Sequence, residues 1–343
     1  MITSLLVANL ILAGSQVPRG SEAFSVPSSL AFIGSKEQPT AVALAIGDPG
    51  LFIVPSSAVP SSTGFGFSHN GTAMTFKVIA RDDITQFALI QAPDVKPGAR
   101  ISMAPFDVAP SSKLVAFLPG GEVVSGHLAS TNRIGILQGT RRFMNLWEIK
   151  LETPQSRLTG SPVFTMDGRL AALIHSTLEP ISEDANESQT EIRKIKSNAL
   201  AQDAIPHFGP QGLTVSYAFG PKVVWRVIQG FLRNDRTPQH PTIGLFFKNA
   251  AGIGAEVTAV TPGGSSADSG IQVGDVVKSV DELPVTNAVG FAALLFETTP
   301  GDLLSIEVQR KKELLKVTVP VRVNQARIEN QLDTKIKTAP QGL

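Results

Sequence analysis

Residues 151–176, LETPQSRLTGSPVFTMDGRLAALIHS, set the tightest limit on what this chain can fold into. A short strand runs into a tight polar turn, then into an apolar strand carrying Val163 and Phe164. An Asp167-Gly168 hairpin turn and a second apolar strand follow. The same pattern of short β-type runs broken by Gly, Pro, Ser and Asn extends across residues 25–205. Its clearest strands are 41–46, 51–54, 73–79, 87–91, 113–117, 146–151 and 170–175. Many short strands with frequent turn signals predict an all-β barrel or sandwich, and periodicity does not choose between the two.

Composition narrows the function classes. A length of 343 residues corresponds to roughly two to three domains. An apolar content of 42% with 17% charged residues marks a globular chain. A net charge of +1 gives no electrostatic reason to expect nucleic acid or an anionic membrane as partner. The absence of cysteine excludes disulfides, thiol catalysis and cysteine–zinc sites. His69, His127, His175, His207 and His240 show no close metal-ligand spacing and read as scattered surface or loop residues. No metal or other cofactor is expected.

At the N-terminus, residues 5–13 (LLVANLILA) form a short apolar run followed by Gly14 and Ser15. The run resembles the apolar core and cleavage zone of a secretory signal peptide and is too short to span a bilayer. The basic start is missing, since the first Lys or Arg is Arg19, and this leaves a membrane-anchored N-terminus and a truncated start site as the other readings. The expectation is a leader over residues 1–24 and export, with a bacterial periplasm as the destination.

Four segments in order resemble the HtrA (high-temperature-requirement) branch of trypsin-like serine proteases. GLFIVPSSAV (50–59) is similar to the family's Gly-Tyr-Ile-Val-Thr-Asn-Asn-His-Val and places Ala58 at the general-base histidine. RDDITQFALIQA (81–92) is similar to Asp-x-x-x-Asp-Leu-Ala-Val-Leu and places Gln86 at the catalytic aspartate. SSKLVAFLPGGEVVSGHLASTNRIG (111–135) resembles the segment from Gly-Asp-x-Val to Gly-x-Val-Ser. In the opening stretch, Arg157, Leu158, Thr159 and Ser161 stand where the family has Gly, Asn, Ser and Gly. The resemblance implies a trypsin-like double β-barrel over residues 25–234.

It also implies lost chemistry. In the triad, serine attacks, histidine takes its proton, and aspartate orients and stabilises the imidazolium. Ala58 accepts no proton, Gln86 carries no charge, and the Thr159 hydroxyl is a poor nucleophile without a base. Losing one such residue costs about 10⁶ in turnover, and losing three costs little more. Arg157 in place of glycine also disfavours the backbone of an oxyanion hole. A shifted triad of Ser161, His69 and Asp82 or Asp83 would make the chain an active endopeptidase. The reading as ordinary turn residues is preferred.

Residues 177–198 read as a polar solvated insertion. Residues 212–218 and 221–234 resemble the closing strand and C-terminal helix of the same family. Val224, Val227, Ile228 and Phe231 form an apolar stripe behind Pro221. DRTPQHP (235–241) reads as a short Pro-rich linker.

TPGGSSADSGIQVGDVVKSVDELPV (261–285), a helix at 288–296 and strands at 304–310 and 314–319 resemble a PDZ domain of the HtrA-associated type over 242–323. By that resemblance Ile243, Gly244, Leu245 and Phe246 form the carboxylate-binding loop and the strand that receives a ligand. Residues 324–343 read as a polar tail. The resulting expectation is a non-catalytic pseudoprotease that binds exposed or C-terminal peptide segments, as adaptor, sensor or regulator of envelope proteins. The family often forms trimers through its N-terminal part, where Phe24 and Phe32 lie. A homo-trimer, or an assembly with active HtrA-like proteases, is the implied quaternary state.

Overall fold

The computed structural model describes residues 28–47, 50–95, 101–138, 142–155, 158–181, 213–250 and 253–324. The leader, Phe24, Arg157, the insertion beyond residue 181 and the tail beyond 324 lie outside these residues. The first six strands are β1 (Leu30–Gly34), β2 (Pro39–Ala45), β3 (Leu51–Pro55), β4 (Thr63–Ser68), β5 (Ala73–Asp82) and β6 (Phe87–Gln91). They close into a barrel in the order β1-β2-β3-β6-β5-β4.

The next seven are β7 (Lys113–Phe117), β8 (Val123–Leu137), β9 (Phe143–Leu151), β10 (Pro162–Thr165), β11 (Leu170–Ile174), β12 (Leu178–Pro180) and β13 (Thr214–Phe219). Their order is β12-β8-β7-β10-β11-β13-β9, and an extra β8–β9 pairing closes the sheet into a second barrel. Two barrels, not a sandwich, resolve the alternative that periodicity left open. The insertion starts later than expected, because Leu178–Pro180 pairs with β8 as a strand.

Burial explains why the central strands are apolar at nearly every position. Successive residues of a strand face opposite sides. Ala41, Ala43, Phe52, Val54, Ala88 and Ile90 pack in a cluster made only of first-barrel residues. Their neighbours Val42, Leu44, Ile53, Phe87 and Leu89 face a larger cluster shared with the second barrel. Helix α1 (Pro221–Leu232) adds Val223, Val224, Val227, Ile228 and Phe231 to that shared cluster. Its N-cap, Gly220, makes no side-chain cap, and Pro221 supplies the preset φ of a first helical turn.

The C-terminal part comprises β14 (Pro241–Thr242), β15 (Leu245–Asn249), β16 (Ala255–Val260), α2 (Ser265–Asp268), β17 (Val276–Val280), β18 (Leu283–Pro284), α3 (Ala288–Phe296), β19 (Leu303–Arg310), β20 (Glu313–Pro320) and β21 (Arg322–Val323). Its main sheet runs β15-β16-β17-β19-β20, so β15 is an edge strand. A separate core of Val257, Ile271, Phe291, Ile306 and Val319, among others, holds this part together. Asn287 caps α3 by accepting from the Gly290 N–H at 2.7 Å.

The two parts are not joined by a free linker. Helix α3 packs along β9, and its last residue, Phe296, belongs to the shared barrel core and stacks on Phe219 at 6.4 Å. His240 is 7% exposed, and its carbonyl accepts from the Asn324 N–H at 3.2 Å. Pro241–Thr242 pairs with Arg322–Val323. The segment 235–241 is a docked joint, because its histidine and its last proline are used in packing.

Candidate functional site

Three segments converge at the end of β3. Pro55 caps a 3-10 turn, Ser56–Ala58, which carries Ala58 half-buried. The Ser56 N–H donates to the Gln86 carbonyl at 2.7 Å, which ties that turn to the loop before β6. The turn of Thr159 reaches the same place from the other barrel. Its carbonyl accepts from the Val42 N–H at 3.1 Å, and Gly160 lies against Pro55. Gly160 has φ +76, and a Cβ there would overlap the Val42 carbonyl oxygen, so only glycine fits. The fold thus gathers the segments of Ala58, Gln86 and Thr159 at one junction between the barrels.

One ionisable neighbour at this junction is His175, which the sequence pattern places on a surface or loop. It is 1% exposed at the end of β11. Its Nε2–H donates to the Gln86 carbonyl at 3.2 Å, and its Nδ1 accepts from the Thr177 hydroxyl at 2.8 Å. A carbonyl only accepts, which fixes the neutral tautomer. Phe87 and Phe219 meet the ring edge-on at 5.1 and 5.7 Å. Burial pushes the imidazole down to about 4, against the opposing hydrogen bond to Gln86. With both nitrogens engaged, this ring has no free lone pair with which to act as a base. Gln86 itself sits at φ +55 and donates from Nε2 to the Gln138 carbonyl at 3.1 Å. The signal in the sequence was the position of His175 directly after five apolar residues.

The shifted triad is not assembled. Ser161 is 0% exposed, and its hydroxyl has no hydrogen-bond partner. His69 is exposed in the turn after β4, as is Asp83 in the turn before β6. Asp82 is buried and already committed elsewhere. It accepts from the backbone N–H groups of Ile84 and Thr85, from the Thr85 hydroxyl, and from His240 Nε2 at 2.9 Å. Burial opposes its ionisation, but these donors outweigh burial and hold the carboxyl below its usual range. Burial also lowers His240, so the pair is a neutral imidazole donating to a carboxylate. His240 is the second histidine that proved buried instead of superficial.

A second charge crosses the same joint. Arg226 on α1 is 5% exposed and donates through one Nη to the carbonyls of Phe296 and Thr298 at 2.8 and 2.6 Å. It caps the C-terminal end of α3, where unsatisfied carbonyls and the helix dipole favour a cation. Its guanidinium also lies 5.2 Å from the Phe296 ring centre. Burial lowers its pKa to about 10, which leaves it charged at neutral pH.

The C-terminal part holds the open features. Gly244, at φ +72, turns the chain into β15. Its N–H donates to the Thr242 hydroxyl at 3.2 Å, and its carbonyl accepts from the Thr261 N–H at 2.9 Å. Ile243, Gly244, Leu245, Leu295 and Thr298 line a cavity of about 110 Å³. Ile243 is 3% exposed and roots the loop in the core. Phe246 lines neither cavity described here. It is 63% exposed on the other face of β15, as strand alternation requires. Phe247 takes the inward place and packs on Phe291 at 4.7 Å. It lines a second cavity, of about 200 Å³, with Ala292 and Leu295 of α3 and with Ile84 and Phe143 of the barrels. No group of metal-ligating side chains occurs among the described residues. No helix among them is long and apolar enough to cross a membrane.

Residues 241–321 match the PDZ domain family. No curated protein matches the chain in sequence. Solved structures that resemble most of the chain include three of the HtrA-type protease AlgW. One is the HtrA-type protease AlgW with tripeptide, at TM-score 0.54, 15% identity, and coverage of 88% of this chain and 95% of that one. Another is AlgW with decapeptide, at TM-score 0.53, 15% identity, and coverage of 84% and 83%. The third is AlgWS227A with decapeptide, at TM-score 0.52, 16% identity, and coverage of 83% and 82%. The chain has the trypsin-like fold of the HtrA-type proteases, completed by a C-terminal PDZ domain.

Proposed function

We propose that this protein binds peptide segments ending in a free carboxylate through its PDZ domain and does not cleave them, as an adaptor, sensor or regulator of envelope proteins. The observation that carries the reading is a difference in what the two sites leave open. Around Thr159 the turn packs against Val42 and Pro55, and the nearby imidazole of His175 is spent on hydrogen bonds. Ala58 and Gln86 supply neither a base nor a charge at the two positions that peptide hydrolysis needs. Around Gly244, by contrast, a cavity opens beside an edge strand whose backbone groups can accept a further strand. The Gly244 N–H, which donates to the Thr242 hydroxyl, would exchange that acceptor for a terminal carboxylate, whose charge suits the turn's partial positive end.

Export and assembly complete the proposal. Export rests on the apolar run at residues 5–13 and trimerisation on the resemblance of the barrel domain, so both are part of the reading and stand apart from the geometry. The test is a titration of the intact protein with one apolar-ended peptide as free acid and as amide. The acid should bind at least about tenfold more tightly, because the amide removes a charged acceptor. Equal affinities would show that the loop does not receive a carboxylate. In parallel, a serine-directed fluorophosphonate should leave no label, and label at Ser161 would restore the active reading.

A further inference from the structure

Charge and apolar surface are unevenly spread over the C-terminal domain, although the whole chain carries a net charge of only +1. The pairing register brings two exposed segments to one end of its sheet. Val276 at the start of β17 lies opposite Gln309 near the end of β19, so the loop before β17 and the β19–β20 hairpin tip are neighbours. Arg310 ties them together. Its Nε and Nη2 each donate to the Asp275 carboxylate at 2.8 Å, and Nη2 also donates to the Gly270 carbonyl at 2.7 Å. Between these two anchors Val273 is 65% exposed, and on the hairpin Leu314 is 62% exposed. Gly270 and Gly274 shape the loop at φ +84 and +90. An added Cβ at either would meet nothing within 4 Å, so the loop stands clear of the domain.

The hairpin tip adds the charge. Around it, Arg310 is spent on Asp275, Lys248 on Glu256 at 3.3 Å and Arg322 on Asp268 at 2.8 Å. Lys311 and Lys312 are exposed and have no ion pair among the described residues. Lys311 also holds φ +56, a left-handed conformation in which glycine or asparagine would be less strained. An outlier of this kind points to a role beyond closing the turn. At the opposite end of the sheet, Asp281 and Glu282 close the β17–β18 turn, with exposed Leu283 and Leu303 at the same end. Both ends are apolar, but only the first is basic.

We propose that the Val273 loop and the Lys311–Lys312 hairpin tip form a contact site for the surface of an anionic lipid bilayer. Val273 and Leu314 would enter the interface between headgroups and acyl chains, while the two lysines meet headgroup phosphates. Two protruding tips make no cleft in which an acidic peptide could be held, and a bilayer surface needs none. The acidic far end would be repelled by the same surface, so the charge distribution also orients the domain. The contact lies outside the peptide groove and stands without the peptide-binding reading.

The test uses the intact protein and sedimentation with two kinds of vesicle, phosphatidylcholine alone and phosphatidylcholine mixed with phosphatidylglycerol. Binding to the anionic vesicles should exceed binding to the neutral ones at least about tenfold, and should fall steeply with added salt. Lys311→Asn with Lys312→Gln, a pair that also suits the left-handed turn, should weaken it about 25-fold, roughly fivefold per lysine. Val273→Ser with Leu314→Ser should weaken it about tenfold. Leu283→Ser with Leu303→Ser, at the far end, should leave it unchanged. Since the chain has no cysteine, Val273→Cys and Leu303→Cys can each carry a polarity-sensitive dye. Only the dye at position 273 should shift to the blue on anionic vesicles. Absent binding, equal binding to both vesicles, or an equal loss in the far-end pair would overturn the proposal. Binding undiminished in the lysine pair would assign the contact to another segment, such as the apolar run at residues 5–13, and would overturn it too. Binding of polyglutamate without binding of vesicles would indicate an acidic protein partner in place of the bilayer. None of these results decides the peptide reading, which has its own titration.

Discussion

Gly160 and Gly244 both hold left-handed backbone, at φ +76 and +72, and both start a turn into a strand. Their surroundings differ. At Gly160 a side chain would overlap the Val42 carbonyl oxygen and press on Pro55. At Gly244 the nearest atom to an added Cβ is Thr261 Cβ at 3.3 Å, and a cavity lies beside the loop. One glycine closes the seam between two barrels, while the other borders space that a ligand can enter. The difference teaches that turn geometry records how a chain is built, whereas function follows from what the turn leaves uncovered and which charges stand nearby.

The comparison is most strained by repair. Restoring Ala58→His, Gln86→Asp and Thr159→Ser together should yield no turnover of an unfolded substrate above background. The triad and the oxyanion-binding backbone contribute separately, the latter about 3–4 kcal/mol per donor. Leu158, where the family has asparagine, is 5% exposed and belongs to the second barrel's core, so this turn is anchored by burial. Robust cleavage by the folded triple variant would mean that only three side chains separate this turn from a working one.

The joint gives the next largest effect. Arg226→Ala strands the carbonyls of Phe296 and Thr298 and should cost about 3 kcal/mol. Arg226→Met keeps the bulk of the side chain and should cost less, since the guanidinium Nε and second Nη have no partner. Barrels and PDZ domain should melt in one transition in the parent, measured by calorimetry. Two separate transitions in the parent would contradict a docked joint.

Acid should act through His175. Its imidazole takes a proton near 6.5 when unfolded and near 4 when folded. Between those values the unfolded chain binds more protons, so stability falls as the pH falls, by about 3 kcal/mol in all. Half-buried Glu297 works the other way. Burial pushes its carboxyl up to about 7, so its contribution is present below its ordinary 4.5 and fades toward pH 7. Comparing the parent with His175→Gln cancels that background. The stability gap between them, from denaturant titrations, should narrow toward pH 4, and a constant gap would show that the buried ring does not titrate as described. The smallest effect belongs to Phe246→Ser, which should shift stability and peptide affinity by no more than about 0.5 kcal/mol.

Much of the fold was legible because its signals are local. The strand at Phe87–Gln91 and the helix at Ala288–Phe296 stand where their apolar runs and turn residues put them. The joint was not legible. DRTPQHP carries the composition of a linker, and only tertiary contact reveals that His240 meets Asp82 across 158 positions of sequence. His175 was missed for a related reason, since a polar residue closing an apolar strand looks like a strand end until Gln86 and Thr177 are brought to it. Motif adjacency puts Phe246 beside Leu245 in the groove, whereas strand alternation turns Phe246 outward and sets Leu245 and Phe247 against the two cavities.

The central claim, binding without cleavage, is tested most directly by titrating the intact protein with a peptide that ends in a free apolar residue and then weighing the recovered peptide by mass spectrometry. Saturable binding and a peptide of unchanged mass after prolonged incubation are expected. Shortened peptide that accumulates with time in proportion to protein concentration would contradict it.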